Sequence, residues 1–538
     1  MQGLNLRKIA LGLLVVGLLD LAISQPVNED FTPSAFDFMI GTKEEYEVVP
    51  IHKSNIQKRS IDGRFHLELK AFGEHIKIWL EPNVGILATA ETPIFKIDQA
   101  GRIQELDGLM NQIAGYLYYN EKEAATMFIK ETPEGIYKLD GVIGGRGYSI
   151  HSIPDPSYNT NQLWYQTERF KRFIENTPEH ERGNYTYHIV SKLPQVPDHL
   201  KTLKAPTLNF SRSKRALAPE VIYPEIMVVV DYSLFQKFKL NHYDVVKYLL
   251  PFWNSVDFKY RSLENPQYRL NIAGIMIAET PTSLSFMQHK LRYYPYDLLI
   301  EDALLDSADF VLNIEKMFKE THSFDAVVTI TSHKVCAMKD GQCKRGTIGL
   351  AYVSGACNLP EMGWYQGKRV PTNAFKSSIV YDNAGYDGVN VAAHELGHLF
   401  GAEHDGEHHE ACPLKTGHLM APTVSFTANS SDWSLCAVHD MEKFLNSQSS
   451  KCLFNEPQSG TKLARFLPGR MMDADAQCRS YGNKKVYQSN ENICVNLKCL
   501  DDQERFIYTH PGAADGTICG DNKICIQRQC IDLSKITY

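Results

Sequence analysis

None of the twelve cysteines in this 538-residue chain precedes Cys336; six lie between Cys336 and Cys452, and six between Cys478 and Cys530. An even cysteine count reads as a disulfide framework built in an oxidising compartment. The distribution divides the chain physically. Everything up to residue 335 must fold on apolar burial alone, whereas the tail must lean on bridges.

The N-terminus names the route to such a compartment. Arg7 and Lys8 precede an eleven-residue apolar run, Ile9 to Leu19, and the small residues Ala22 and Ser24 follow. This is the pattern of a secretory signal peptide, with cleavage after Ser24. The run is far short of the ~20 apolar residues that span a bilayer, so the expectation is a secreted, extracellular protein with no membrane span. At 43% hydrophobic and 22% charged residues the chain has the material for a core. A net charge of −7 with no long basic run argues against nucleic acid as a partner.

A basic segment, Ser211-Arg212-Ser213-Lys214-Arg215-Ala216, marks the next boundary. Arg-x-Lys-Arg suits a proprotein convertase, whose carboxylates pair with several cations at once, and processing is expected after Arg215. The organisation read here is 1–24 signal peptide, 25–215 propeptide, a domain at 216–455 and a cysteine-rich module at 456–538. The propeptide is β-rich, with strand-like runs at Phe65 to Leu69 and Ile76 to Leu80 and a hairpin-like stretch from Gly141 to Ile153. The next domain alternates. Ile226 to Val230, Leu270 to Ala278 and Ala326 to Thr331 read as strands and Tyr243 to Val256 as helix, which makes an α/β core. Sequons at Asn184, Asn209 and Asn429 are open to glycosylation in a secreted chain.

The chemistry concentrates in Ala393-His394-Glu395-Leu396-Gly397-His398-Leu399-Phe400-Gly401-Ala402-Glu403-His404-Asp405. Four residues apart on a helix, His394 and His398 project from one face, a spacing that lets two imidazoles share one zinc ion. Gly401 permits a sharp turn that returns His404 as third ligand. Three protein ligands leave a position open for water, the arrangement of a catalytic site. Glu395, beside the ligands but not one of them, is placed as general base. His408, His409 and His418 have no such spacing and read as surface polar residues.

His-Glu-x-x-His-x-x-Gly-x-x-His followed by Asp405 resembles the metzincin zinc metalloproteases of the reprolysin/adamalysin branch. Gly417-His418-Leu419-Met420-Ala421-Pro422 is similar to their Met-turn, with Met420 as its methionine. Tyr223 to Asp231 is similar to the first strand of those catalytic domains. Thr347 to Val353 looks like the edge strand that pairs with extended substrate. The segments Asp432 to Cys436, Leu467 to Cys478 and Asp515 to Gly520 narrow the resemblance to ADAM proteases with thrombospondin motifs.

That resemblance implies a metzincin fold with a mixed sheet and an active-site helix for a catalytic domain at 216–455, a disintegrin-like, cysteine-rich module at 456–538, and a zinc-dependent endopeptidase made as a zymogen that acts on extracellular proteins. It implies bridges Cys336–Cys343, Cys357–Cys452 and Cys412–Cys436, and calcium held by Glu225, Asp325 and Asn455. The tail cysteines Cys478, Cys494, Cys499, Cys519, Cys525 and Cys530 allow 15 connectivities, all left open. The propeptide has no cysteine, so latency is expected from occlusion of the cleft or another propeptide ligand, not from a cysteine switch. No thrombospondin repeat occurs before Tyr538, so the matrix anchoring of the larger family is not expected. The short build is similar to arthropod salivary or venom metalloproteases. A binding role for the tail at a cell-surface receptor is the alternative, and the absence of Arg-Gly-Asp weakens it.

Overall fold

In the computed structural model, description runs from Tyr46 to Leu533. Residues 154–182 (except Pro178), residues 193–217 and short stretches in other loops lie outside it. Residues 1–24 (read above as a signal peptide), Asn209 and Arg215 are therefore outside the described residues.

The strand-like runs near the N-terminus form one nine-stranded antiparallel sheet. Its order runs from Tyr46–His52 through Tyr185–Lys192 to Glu74–Pro82, Phe65–Ala71 and Ile56–Lys58. Phe65, Leu67, Leu69 and Ala71 are buried in alternation, as a one-sided strand requires. The stretch expected as a hairpin supplies the paired strands Tyr137–Ile143 and Tyr148–Ile153.

The second large sheet carries the site. Glu225–Val230 lies at its centre, parallel to Ala326–Thr331 on one side and Asn271–Ala278 on the other. Ser377–Tyr381 continues the parallel set, and the short antiparallel strand Gly349–Ala351 closes that margin. The opposite margin is built by Ile94–Ile97, parallel to Asn271–Ala278, and then Ile103–Glu105. Seven strands thus share one mixed sheet, two of them drawn from upstream of residue 215.

Every residue of Glu225–Val230 is buried because both faces of the sheet are covered. Ile226, Val228 and Val230 face a cluster with Trp253, Leu396 and Met420. Met227 and Val229 face a second cluster with Leu304, Val311 and Phe318. The first face is covered by helices His242–Tyr260 and Gly388–Leu399, the second by Ile300–Phe318. Each buried Val, Leu, Ile or Phe stabilises by ~1.5–3 kcal/mol, which lets this region hold its shape with few bridges.

The tail has little apolar material. Its small core is Ala474, Ile493, Leu497 and Ala513 packed among Cys478, Cys494, Cys499, Cys519 and Cys525. Bridges Cys478–Cys499, Cys494–Cys525 and Cys519–Cys530 tie together two three-stranded sheets and the helix Ala474–Ser480. Upstream, Cys336 is bonded to Cys343, Cys357 to Cys452 and Cys412 to Cys436. No helix among the described residues is long and apolar enough to cross a membrane.

Candidate metal centre

The helix Gly388–Leu399 is held at both ends and in the middle. At its start the Gly388 amide donates to Asp382 Oδ1 at 2.9 Å, and Tyr248 OH donates to Asp382 Oδ2 at 2.7 Å. At its middle Tyr260 OH donates to Ala393 O at 2.8 Å. Beyond Leu399 the chain turns at Gly401, whose φ of +105° disfavours any side chain; a Cβ there would also lie 2.6 Å from Phe444 Cβ. Gly397 is equally constrained: a Cβ would sit 2.9 Å from both Met420 Sδ and Trp433 Cζ3. The thioether of Met420 is fully buried directly beneath the helix.

The turn returns His404 to the two helical histidines, and Asp405 pins it there. The Asp405 amide donates to Met420 O at 3.0 Å, and Ser434 Oγ donates to Asp405 Oδ1 at 2.6 Å. The result is convergence of three ring nitrogens. His404 Nε2 lies 3.3 Å from His394 Nε2 and 3.1 Å from His398 Nε2. Three nitrogens each ~2.05 Å from one tetrahedral ion would stand ~3.3 Å apart, so the set fits zinc.

The other ring nitrogens fix the tautomer. His394 Nδ1 donates to Leu419 O at 2.7 Å and His398 Nδ1 to Ala402 O at 2.8 Å, which leaves both Nε2 lone pairs free. Burial pushes His394 down to about 4 and lowers His398 as well. Both rings are thus neutral at physiological pH, as metal ligands must be.

Glu395 is 4% exposed, and burial pushes its carboxyl above the usual range. It lies against Gly349 of the marginal strand, where any Cβ would overlap its Oε1. Both line a cleft of about 940 Å³ with the three histidines. Ile348, Leu350, Ala351, Leu419, Ala421 and Pro422 add apolar lining. The tail contributes Tyr481, Pro511 and Arg528.

Glu225, Asp325 and Asn455 also come together, away from the cleft. The Glu225 amide donates to Asp325 Oδ2 at 2.9 Å, and Asn455 Nδ2 donates to Glu225 Oε2 at 2.7 Å. Asn184 is half-buried and Asn429 exposed. The surface reading of His418 is corrected: it lines the cleft, with Nδ1 buried and without a partner. His409 is paired with Asp440 at 2.6 Å, and His408 lies outside the described residues. Sequence reasoning did not reach Gly349 as the neighbour of Glu395, nor the buried anchor Asp382, nor the tail residues in the cleft. Only the turn-forming run Asp382 to Gly388 hinted at an anchor before the helix.

Three imidazoles converging beside a buried acidic side chain in an open cleft define a hydrolytic metal centre. Residues 224–434 match the metallo-peptidase family M12, and residues 468–531 match the ADAMTS cysteine-rich domain 2. The chain is 30% identical over 527 residues to "a disintegrin and metalloproteinase with thrombospondin motifs like" of Bombyx mori, covering 87% of this chain and 73% of that protein. It is 29% identical over 338 residues to the human protein with thrombospondin motifs 6, covering 60% of this chain but 28% of the relative. A metalloproteinase-II structure from Bacteroides fragilis aligns over 71% of this chain and 91% of its own at 12% identity, with a TM-score of 0.28. The chain belongs to the M12 metallopeptidases, among the disintegrin and metalloproteinase proteins with thrombospondin motifs, and is a zinc metallopeptidase.

Proposed function

We propose that the protein is a secreted zinc endopeptidase, made as a zymogen, that cuts internal peptide bonds of extracellular proteins. The observation that carries this reading is the convergence of His394, His398 and His404 Nε2 with Nδ1 of both helical histidines held by carbonyls.

A zinc ion held by these three nitrogens supplies Lewis acidity, which acidifies water and polarises the scissile carbonyl. The chain's own residues do the rest. Glu395 takes the proton of the attacking water and returns it to the departing amine. The Gly349–Ala351 strand is the last of its sheet and lines the cleft, so an extended substrate can pair with its free backbone groups. Leu350 and Ala351 flank the peptide beside the base.

Export is supported by six disulfides and no free cysteine among the described residues. Maturation by a convertase after Arg215 divides the chain into a propeptide, 25–215, a catalytic domain, 216–455, and the cysteine-rich module, 456–538. Calcium at Glu225, Asp325 and Asn455 suits their oxygen donors, and its test is the melting temperature with and without calcium in zinc-buffered solution.

Cleavage of a protein substrate by the matured enzyme, with and without phenanthroline, tests the central reading. Glu395→Gln is expected to cut turnover by ~10²–10⁴-fold with zinc content unchanged. Undiminished turnover in that variant, or activity indifferent to the chelator, would remove the assignment.

A further inference from the structure

The outer neighbour of the Asn271–Ala278 strand comes from far upstream. Ile94 stands opposite Ile275, Phe95 opposite Met276, Lys96 opposite Ile277 and Ile97 opposite Ala278. The Ile275 amide donates to Pro93 O and the Glu279 amide to Ile97 O, both at 3.0 Å. Ser283 Oγ also donates to Ile97 O at 2.8 Å. The side chains alternate between two cores. Ile94 enters the cluster that holds Leu396 and Met420, while Phe95 and Ile97 enter the one on the opposite face, with Met227 and Phe318. The Phe95 ring lies 4.8 Å from that of Phe318, centroid to centroid.

Further anchors follow along the same segment. Met110 and Ile113 are buried in the cluster shared with the metal-binding helix, as are Leu87 and Phe128. Lys247 Nζ lies 4.2 Å from the centre of the Phe128 ring. Gly85–Thr89 pairs with Lys462–Leu463, so the segment also grips the connection into the cysteine-rich tail. Taking it away would bare a long apolar strand with unpaired amides and open both cores.

We infer that the N-terminal segment stays in the matured protein as a non-covalent subunit, with Ile94–Ile97 serving as a permanent strand of the catalytic sheet. The inference rests on the proposed processing after Arg215. There one water adds across the Arg215–Ala216 bond, leaving a carboxylate on Arg215 and an amine on Ala216. Retention is compatible with activity because the strand occupies one margin of the sheet, and Gly349–Ala351, which lines the cleft, the other. The surface is core-like in character, as in obligate subunit interfaces.

The test uses the full chain, cut in one preparation by a convertase. In a second preparation, residues 211–215 are replaced by the recognition sequence of a site-specific laboratory protease. A chain that resists the convertase counts against the processing reading alone, and the second preparation still tests retention. After cutting, the two fragments are expected to co-elute one to one in native gel filtration. The Ile275 and Glu279 amides should exchange as slowly as in the uncut protein. Separation of the fragments, or exchange at those amides accelerated about 100-fold or more, overturns the inference. Phe95→Ala with Ile97→Ala should speed dissociation of the cut protein by about 100-fold or more, whereas the uncut variant is held by its tether. Unchanged retention in that variant also overturns it. If the variant is not exported, the exchange rates of the cut wild-type protein decide.

Discussion

Gly349 and Glu395 touch so closely that the strand has no room for a methyl group beside the carboxylate. A Cβ at 349 would overlap Glu395 Oε1 and come within 2.6 Å of Val391 Cγ1. The glycine therefore sets where the Glu395 side chain, the proposed base, stands. Gly349→Ala is expected to push Glu395 aside and lower kcat by ~100-fold, the penalty of misplacing a reacting group by about 1 Å. Zinc content should not change, because none of the three histidines is displaced. Steady-state kinetics with metal analysis on the same sample checks this.

Gly397 plays the matching role on the other face of the helix. Its substitution by alanine forces a methyl against Met420 Sδ and the Trp433 ring, each 2.9 Å from the ideal Cβ. Gly397→Ala should cost ~1–3 kcal/mol of stability, the usual range for overpacking. Met420→Ala in the same chain should recover only part of that loss, because Trp433 remains in the way. Denaturant unfolding of the three variants measures it.

The tail is fastened to the catalytic body by a buried ion pair. Lys259 Nζ lies 3.5 Å from Asp515 Oδ2, with side-chain exposures of 2% and 7%. Burial lowers the lysine's pKa, and the facing carboxylate works against that shift. Asp515→Ala should cost ~3–5 kcal/mol, because it strands an ammonium in the interior. Lys259→Met combined with Asp515→Leu should restore most of that. Urea unfolding midpoints of single and double variants distinguish the two outcomes.

The anchor at the start of the metal-binding helix carries a pH signature. Asp382 accepts from Tyr248 OH, the Gly388 amide and the Ala384 amide, at 2.7, 2.9 and 3.0 Å, donors that work against the upward push of burial on its carboxyl. Burial first, and the adjacent Asp382 charge second, hold the Asp387 carboxyl well above its ordinary 3.8. The folded state then keeps a proton that the unfolded chain releases above that value. Stability from this group is greatest at the acid side of the window and declines as pH rises toward the folded pKa. Asp387→Asn keeps an N–H donor toward Asp382 and removes the titration. It should flatten the profile above pH 4 and raise stability at pH 7 by ~1.4 kcal/mol for every tenfold difference in proton affinity between the folded and unfolded carboxyl. Urea midpoints against pH, for both proteins, check the sign.

How far the sequence carries depends on the range of each signal. The histidine spacing on a helix and the glycine at the turn are local, and local geometry suffices to bring His394, His398 and His404 together. The runs Ile226 to Val230 and Ala326 to Thr331 are apolar apart from Thr329 and Thr331, and each strand is buried throughout because it is covered on both faces, which such a run reports directly. The membership of Ile94–Ile97 in the catalytic sheet is different in kind. Its four residues could be paired in any sheet, and the partner at Ile275 to Ala278 is specified by packing that no local pattern contains. Asp382, Tyr481 and Arg528 were hidden for the same reason. No local pattern marks an aspartate, a tyrosine or an arginine near a turn as functional, and only the tertiary approach of Tyr248, or of the tail to the cleft, gives these their work. His418 reads as a surface residue because it stands outside the ligand spacing, whereas its ring lines the same cleft as the three histidines.

The acceptors that orient the helical histidines, Leu419 O and Ala402 O, belong to the main chain. Drift at codons 402 and 419 can exchange the side chains without erasing either acceptor. The preference of this pocket for a metal is thus heritable through the path of the peptide, and a lineage can reshape its substrate range while the ion stays where it is.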